Sequence, residues 1–435
     1  MSRFFDYFGI FKKYPLVASI GLVALLATMG HAAFVPILPL YLKENLGFSA
    51  SFIGIVFGAY AVSETVFKTP FGFISDRVGR KAVIVTGILL SFVVPILMTL
   101  LRHPAGLIFL QAVNGAGIAA FWPVLAALIS DNVTAENRAQ AMTVFNLAYL
   151  IALCFGPALG AFVNHATGNN VSAFYLAAVF LAAAAITGIA VIPGFSAKES
   201  VARSIDARPE RKEKGRLLKI LFIQPILARM FVISLLQQFG IGLLAPIFIL
   251  FSREQLSFTQ ADIGHILLWP AIVVALLAVP LGHAADVIGK ARVTRYAYLV
   301  SAPAIYLFTV AKSLAAWQVL ISLVGLAYVT GAPAWTALVS MAAPHGKEGT
   351  TIAAVSTMYS LGFIIGPGVG GLLYDYISPA APFYGCSVVL LFCSLLVFLL
   401  VSEEKILAAQ KPAEEEAAAE KPVEQQTGSR TAAGK

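Results

Sequence analysis

Charge is scarce in this chain. Asp, Glu, Lys and Arg make up only 12% of the 435 residues, whereas 59% are hydrophobic. A water-soluble protein of this length needs more polar surface, so a soluble globular architecture is excluded. Cysteine is scarcer still. Cys154, Cys386 and Cys393 all fall inside apolar stretches without disulfide or metal-ligand spacing, which leaves them as small packing residues. No metal-ligand cluster, nucleophile elbow or phosphate-binding loop stands in a supporting context, so the sequence points away from an enzyme and from a resident cofactor or metal. The net charge of +8 is a balance that could serve nucleic acid. The lysines and arginines lie mostly in short loops between apolar runs, however, and membrane topology explains them more simply than a nucleic-acid partner.

What the chain has in abundance is apolar runs of about 20 residues, the length a helix needs to cross the hydrocarbon core. Twelve candidate spans fall at about residues 17–41, 51–70, 82–101, 105–130, 139–163, 172–193, 225–251, 260–280, 292–311, 314–340, 349–374 and 382–402. The expected fold class is an all-α polytopic membrane protein. An even count puts both termini on one side, and a cytoplasmic N-terminus leaves only Lys43, Arg102, Arg253 and Lys312 of the 30 Lys and Arg residues on outer loops. Residues 1–195 form an N-terminal six-helix half and 223–402 a C-terminal one. Between them, 196–222 reads as a basic cytoplasmic linker, and the Ala-, Glu-, Lys- and Pro-rich tail at 403–435 reads as disordered. The setting these features suit is a bacterial inner membrane, with lipid as an obligatory partner.

The two halves repeat each other at a constant offset of 210. GFISDRVGRK at 72–81 returns as GHAADVIGKA at 282–291, so that Gly72, Asp76, Gly79 and Arg80 match Gly282, Asp286, Gly289 and Lys290. Gly115 and Pro123 find Gly325 and Pro333; Tyr149, Gly156, Pro157 and Gly160 find Tyr359, Gly366, Pro367 and Gly370. Six spans per half make this a parallel repeat about an axis along the membrane normal. That arrangement suits alternating access, with a binding site between the halves.

These features resemble the major facilitator superfamily, and the resemblance runs from about residue 17 to 402. The loop after the second span matches the superfamily's G-x-x-x-D-R-x-G-R-[RK] signature at Gly72, Asp76, Arg77, Gly79, Arg80 and Lys81. A G-x-x-x-G-P-x-x-G-G pattern, associated there with antiporters, is complete at Gly362, Gly366, Pro367, Gly370 and Gly371 in the eleventh span and shortened to Gly156, Pro157 and Gly160 in the fifth. Physically, such small residues let helices approach closely. PILPLYLKENLGFSASFIG, from Pro36, resembles the drug and metabolite exporters of the superfamily. One departure is Gln111, which stands where proton-driven drug exporters commonly carry an arginine. The resemblance also implies that Asp76 and the basic residues beside it form a cytoplasmic latch that steadies the outward-facing state by meeting a helix N-terminus and basic partners across the halves. Arg138 is a candidate partner.

Ionisable groups inside spans are costly and therefore functional candidates. His31 and Glu64 are the proton-coupling candidates. For Glu64 a structural ion pair with Lys68, four residues on, competes with that role, and for His31 a hydrogen-bonded packing role does. Helical spacing proposes a polar and aromatic lining: Gln111, Asn114 and Trp122 on the fourth span, Asn146 and Tyr149 on the fifth, Gln237 and Gln238 on the seventh, Tyr328 and Trp335 on the tenth, and Ser356, Tyr359 and Phe363 on the eleventh. For each residue, interhelical packing is the competing role. The set suits a small amphipathic organic substrate. The expected function is a monomeric secondary exporter exchanging substrate for protons. A facilitator or symporter of a metabolite is the alternative, and a transporter-like receptor that senses without translocating is a third reading.

Overall fold

The computed structural model of the chain describes residues 13–194, 225–344 and 347–404, together with Ile10 and Ile406, and leaves the side chains of residues 279 and 283–286 undescribed. The expected linker at 196–222, nearly all of the tail and the side chain of Asp286 therefore lie outside the described residues.

In hydrocarbon every backbone N–H and C=O must be bonded within the protein, and a helix does this within one segment. The apolar runs accordingly form helices: α1 (Pro15–Asn45), α2 (Ala50–Val78), α3 (Arg80–Leu100), α4 (Pro104–Asn132), α5 (Ala135–Thr167), α6 (Ser172–Val191), α7 (Pro225–Leu256), α8 (Gln260–Ile288), α9 (Lys290–Leu307), α10 (Leu314–Ala342), α11 (Glu348–Tyr376) and α12 (Ala381–Leu400). Eleven of the described helices are long and apolar enough to cross a membrane. The other is α9, expected at 292–311. It is 18 residues long and begins with Lys290, Arg292 and Arg295 in its first two turns, so the basic loop is continuous with the helix.

Local chemistry sets the helix ends. Ser49 and Ser313 cap α2 and α10 by accepting from the backbone N–H groups of Phe52 and Ala316, both at 3.2 Å. Pro15 and Pro104 open α1 and α4, where the missing N–H costs nothing. Prolines also break the first span of each half. Regular helix in α1 stops at Phe34, ahead of Pro36, and in α7 at Leu244, ahead of Pro246. The sharp turn between α2 and α3 passes through Gly79 at φ +99°, and that between α8 and α9 through Gly289 at φ +101°, conformations that side chains with a Cβ avoid. The internal repeat is visible in these bounds: α2 and α8, and α4 and α10, begin and end 210 residues apart.

Within the first half, α1 packs on α5 and α6, α2 on α4, and α3 on α4 and α6. The second half repeats this pairing among α7 to α12. Glycines allow the closest approaches. A Cβ at Gly160 would strike the Ala33 carbonyl of α1, and one at Gly370 would strike the Leu243 carbonyl of α7.

The halves meet along α2 against α11 and α5 against α8. A Cβ at Gly54 would strike the Pro367 carbonyl, one at Gly371 the Ala50 carbonyl, and Gly264 lies against the Phe162 ring. These contacts belong to the far end of the bundle, opposite the termini. There the apolar core is continuous between halves, running from Phe34, Leu38 and Ile53 to Phe251, Trp317 and Phe383. Toward the terminal end the first half keeps a separate core around Ile20, Phe121 and Phe145. In that region Phe73 and Val78 on α2, and Val287 and Ile288 on α8, stand exposed.

Candidate functional site between the halves

Mid-way along α2, Glu64 pairs with Lys68 at 2.7 Å, and both side chains keep partial access to solvent. The carboxylate is not alone. Tyr60, one turn earlier, sits against it, and Tyr149 of α5 lies within Coulombic reach of both Glu64 and Tyr328 of α10. Tyr359 of α11 joins Tyr328 from the second half, with Tyr298 of α9 behind them in the core. Trp122 of α4 completes the first-half wall, with its ring 4.8 Å from Tyr149 and 4.6 Å from Phe145. One acid with one basic neighbour and two first-half phenols, continued through Tyr149 to Trp122 on one side and to the second-half phenols on the other, is a surface for an organic molecule that has an aromatic face and a polar end.

The expected lining residues divide into three groups. Trp122, Tyr149, Tyr328 and Tyr359 are brought together as described. Asn146 of α5 and Ser356 and Phe363 of α11 are exposed or half-buried on those helices, and Gln238 of α7 is half-buried with no hydrogen-bond partner for its Oε1 among the described residues. The others turn inward. Asn114 donates to Gln111 Oε1 at 3.0 Å, both residues being buried within the first half, and Gln237 accepts from Tyr298 Oη at 2.8 Å. Trp335, expected on the lining stripe of Tyr328, is instead core: it is 1% exposed, and its Nε1 donates to Ser234 Oγ at 2.9 Å. The stripe is shared, but α10 meets α7 at the depth of Trp335 and faces Tyr149 at the depth of Tyr328. Ser234 Oγ in turn donates to the Met230 carbonyl at 2.8 Å, so the Trp335 bond ties α10 to α7 inside the second half.

His31 is buried in α1 between Phe34 and Phe121, with ring centroids 6.0 and 6.3 Å away, and its Nε2 has no partner among the described residues. The antiporter-type glycines pack helices: Gly156 against Ala32, Gly362 against Leu235, and Gly366 against Gly242.

The signature loop makes its contacts inside the first half. Asp76 pairs with Arg80 at 2.8 Å, and Arg80 also bonds Asp131 at 3.1 Å and Ser75 Oγ at 2.6 Å. Lys81 donates to the Ile189 carbonyl of α6, Arg138 to the Ser130 carbonyl of α4, and Arg77 is exposed. At the second copy Glu403 accepts from the Lys290 backbone N–H at 2.6 Å beside Gly289, a favourable place for an acid at the start of α9. Gly72 and Gly282 have open space where a Cβ would stand.

Sequence reasoning missed Tyr60, Tyr298 and the polar closure of the far end. Tyr60 had a signal, standing one turn from Glu64. The far-end residues had one too, since Lys43 and Glu44 lie 210 residues before Arg253 and Glu254.

Two pseudo-equivalent six-helix halves that meet along α2 with α11 and α5 with α8 have the build of a membrane transporter. The comparisons agree. The Major Facilitator Superfamily profile matches residues 20–241 and again 230–430, and the chain belongs to that superfamily. It is a multi-pass integral membrane protein that moves a small-molecule substrate, and not an enzyme. It is 28% identical over 355 residues to multidrug resistance protein 2 of Bacillus subtilis, covering 80% of this chain and 86% of that protein. It is likewise 28% identical to the inner membrane transport protein YajR of Escherichia coli, over 81% of this chain and 76% of the other. The crystal structure of the nucleoside transporter NupG superposes with a TM-score of 0.69 over 91% of this chain and 99% of that one, at 15% identity, a likeness of fold alone.

Proposed function

We propose that the chain is a monomeric exporter of small amphipathic organic compounds, driven by proton entry, in a bacterial inner membrane with both termini cytoplasmic. The observation that carries this reading is the aromatic run that starts at Glu64 with Tyr60 and Tyr149, beside Trp122, and crosses through Tyr149 to Tyr328 and Tyr359 of the second half. Relatives named for multidrug resistance support the substrate class and the direction. With the basic loops inside, the terminal end is cytoplasmic and the far-end contacts hold the molecule inward-facing, ready to load substrate from the cell.

In this reading Glu64 carries the proton. A charge at mid-membrane costs about 2.5–3.5 kcal/mol, so it is kept where it can be neutralised in turn by Lys68, by a proton or by the polar end of a substrate. Substrate arrival competes for the carboxylate. Protonation from the outside would then release the substrate and let the empty carrier return. His31, buried between the Phe34 and Phe121 rings, serves packing in this reading. Asp76 and Arg80 hold the released form of the latch, and it is in the outward-facing state that Asp76 engages the second half.

A facilitator without proton coupling is the second reading, favoured by Gln111 at the position where drug exporters carry arginine. Proteoliposomes with an imposed pH gradient separate the two. Uphill movement of an amphipathic dye that stops when the gradient is collapsed supports the exporter; dye equilibration at an unchanged rate with or without the gradient establishes the facilitator.

A further inference from the structure

The far end is closed by charges that repeat at the same offset as the fold. Lys43 and Glu44, at the end of α1, occupy the positions of Arg253 and Glu254 at the end of α7. Neither doublet pairs within itself. Lys43 Nζ is 3.7 Å from Glu254 Oε1, and Arg253 Nε is 2.7 Å from Glu44 Oε1, so each basic residue reaches the acid of the opposite half. Each of the four side chains is about one-third exposed, at 29–34%, which leaves the pairs accessible to water but not dispersed in it.

Further bonds hold each acid. Glu44 Oε2 accepts from Asn170 at 2.8 Å, and Asn170 Oδ1 accepts from Gln260 of the second half at 2.9 Å. Glu254 Oε2 accepts from Tyr374. Arg253 also donates to the Phe258 carbonyl at 2.8 Å, which fixes its guanidinium. A third crossing flanks the doublets: Asp375 of α11 accepts from the Ser51 and Ala50 N–H groups, at 2.7 and 3.2 Å, and so caps α2 from the other half. Its pseudo-equivalent, 210 residues earlier, is His165, which stands within Coulombic reach of Asp262 in the first turn of α8.

We propose that Lys43, Glu44, Arg253 and Glu254 form a reciprocal charge clasp that gates the far end, with Asp375 as its auxiliary cap. The arrangement follows from the pseudo-two-fold axis. A doublet of opposite charges facing its own rotated copy can satisfy both pairs at once only when the halves are closed in this register. Rocking the halves apart breaks both pairs and uncaps α2 in the same movement, so the clasp yields cooperatively. An isolated, partly exposed pair contributes little; two pairs and a cap held in one geometry bias a two-state equilibrium that small energies already move.

Pulsed dipolar spectroscopy on the full chain in nanodiscs tests the clasp, with the native cysteines replaced and spin labels at Ala166 and Lys312, exposed sites on opposite halves of the far end. It needs no substrate or gradient, so its outcome is separate from the exporter assignment. Glu44→Arg sets two cations together and should raise the proportion of the longer-distance, far-open population about tenfold; Arg253→Glu should do the same with two anions. The swap Glu44→Arg with Arg253→Glu should return the distribution to within about twofold of the parent, because the pair is restored with its sign reversed. Lys43→Glu and Glu254→Lys provide the same cycle on the second pair, and thermal melts identify any variant that fails to fold. Singles that melt like the parent and keep its distance distribution overturn the clasp. So does a folded swap that stays as open as its singles.

Discussion

At the residue scale, the weight falls on Glu64. Its carboxylate lies half-way along α2, paired with Lys68 and flanked by Tyr60 and by Tyr149, which reaches on to Tyr328 of the second half. Replacing it with Gln keeps the size and removes the exchangeable charge. We expect Glu64→Gln to lose dye accumulation driven by a pH gradient while keeping exchange of labelled for unlabelled dye at equal concentrations, both measured in proteoliposomes. Trp335 provides the contrast. Because it is core, Trp335→Phe should lower stability by about 1 kcal/mol through the lost bond to Ser234, read as a small fall in melting temperature, and should change the apparent affinity for dye less than Trp122→Phe does. The sequence made both tryptophans equal candidates. Helical spacing reports which face a residue occupies, and at this scale it cannot report what that face meets, so Trp122 and Tyr328 were legible while the inward turn of Trp335, Gln111 and Asn114 was not.

At the scale of elements, the helices were almost wholly legible. Lipid demands closed backbone hydrogen bonding, and the breaks fall at prolines, glycines and charged loops that the sequence displays directly. The offset of 210 carried over even to helix bounds. Illegible were the pairings that cross between halves, because a glycine advertises close approach without naming its partner. Gly54 is such a case: it lies against the Pro367 carbonyl of α11, on the surface where the halves close. Gly54→Ala should therefore displace the halves rather than unfold either one, at a cost of about 1–3 kcal/mol to the far-closed state. The dipolar distances between halves should lengthen while helix content by circular dichroism stays that of the parent. Gly72→Ala, where an added methyl meets open space, is the tolerated control.

At the scale of the whole molecule, the two ends are held by different chemistry. Reciprocal ion pairs and a carboxylate cap hold the far end. At the terminal end, the charges of the signature loop are engaged inside the first half, with Arg80 between Asp76 and Asp131. In the proposed alternating access the far-end set breaks as Asp76 leaves its first-half partner to engage the second half, so the balance between these contacts sets the resting state. Asp76→Asn should leave insertion and abundance unchanged while slowing transport, since the outward-facing state would lose its latch; transport at the parental rate would contradict that role.

In the proposed exporter, substrate binds between the halves, against Trp122 and Tyr149 on one side and Tyr328 and Tyr359 on the other. Photoaffinity labelling of the purified chain with an aromatic, amphipathic probe, followed by peptide mapping, tests it most directly. Adducts on peptides of α4 or α5 together with α10 or α11, all suppressed by excess unlabelled compound, are the predicted result. Competable adducts confined to a single half, or to the peripheral helices α3, α6, α9 and α12, would contradict it.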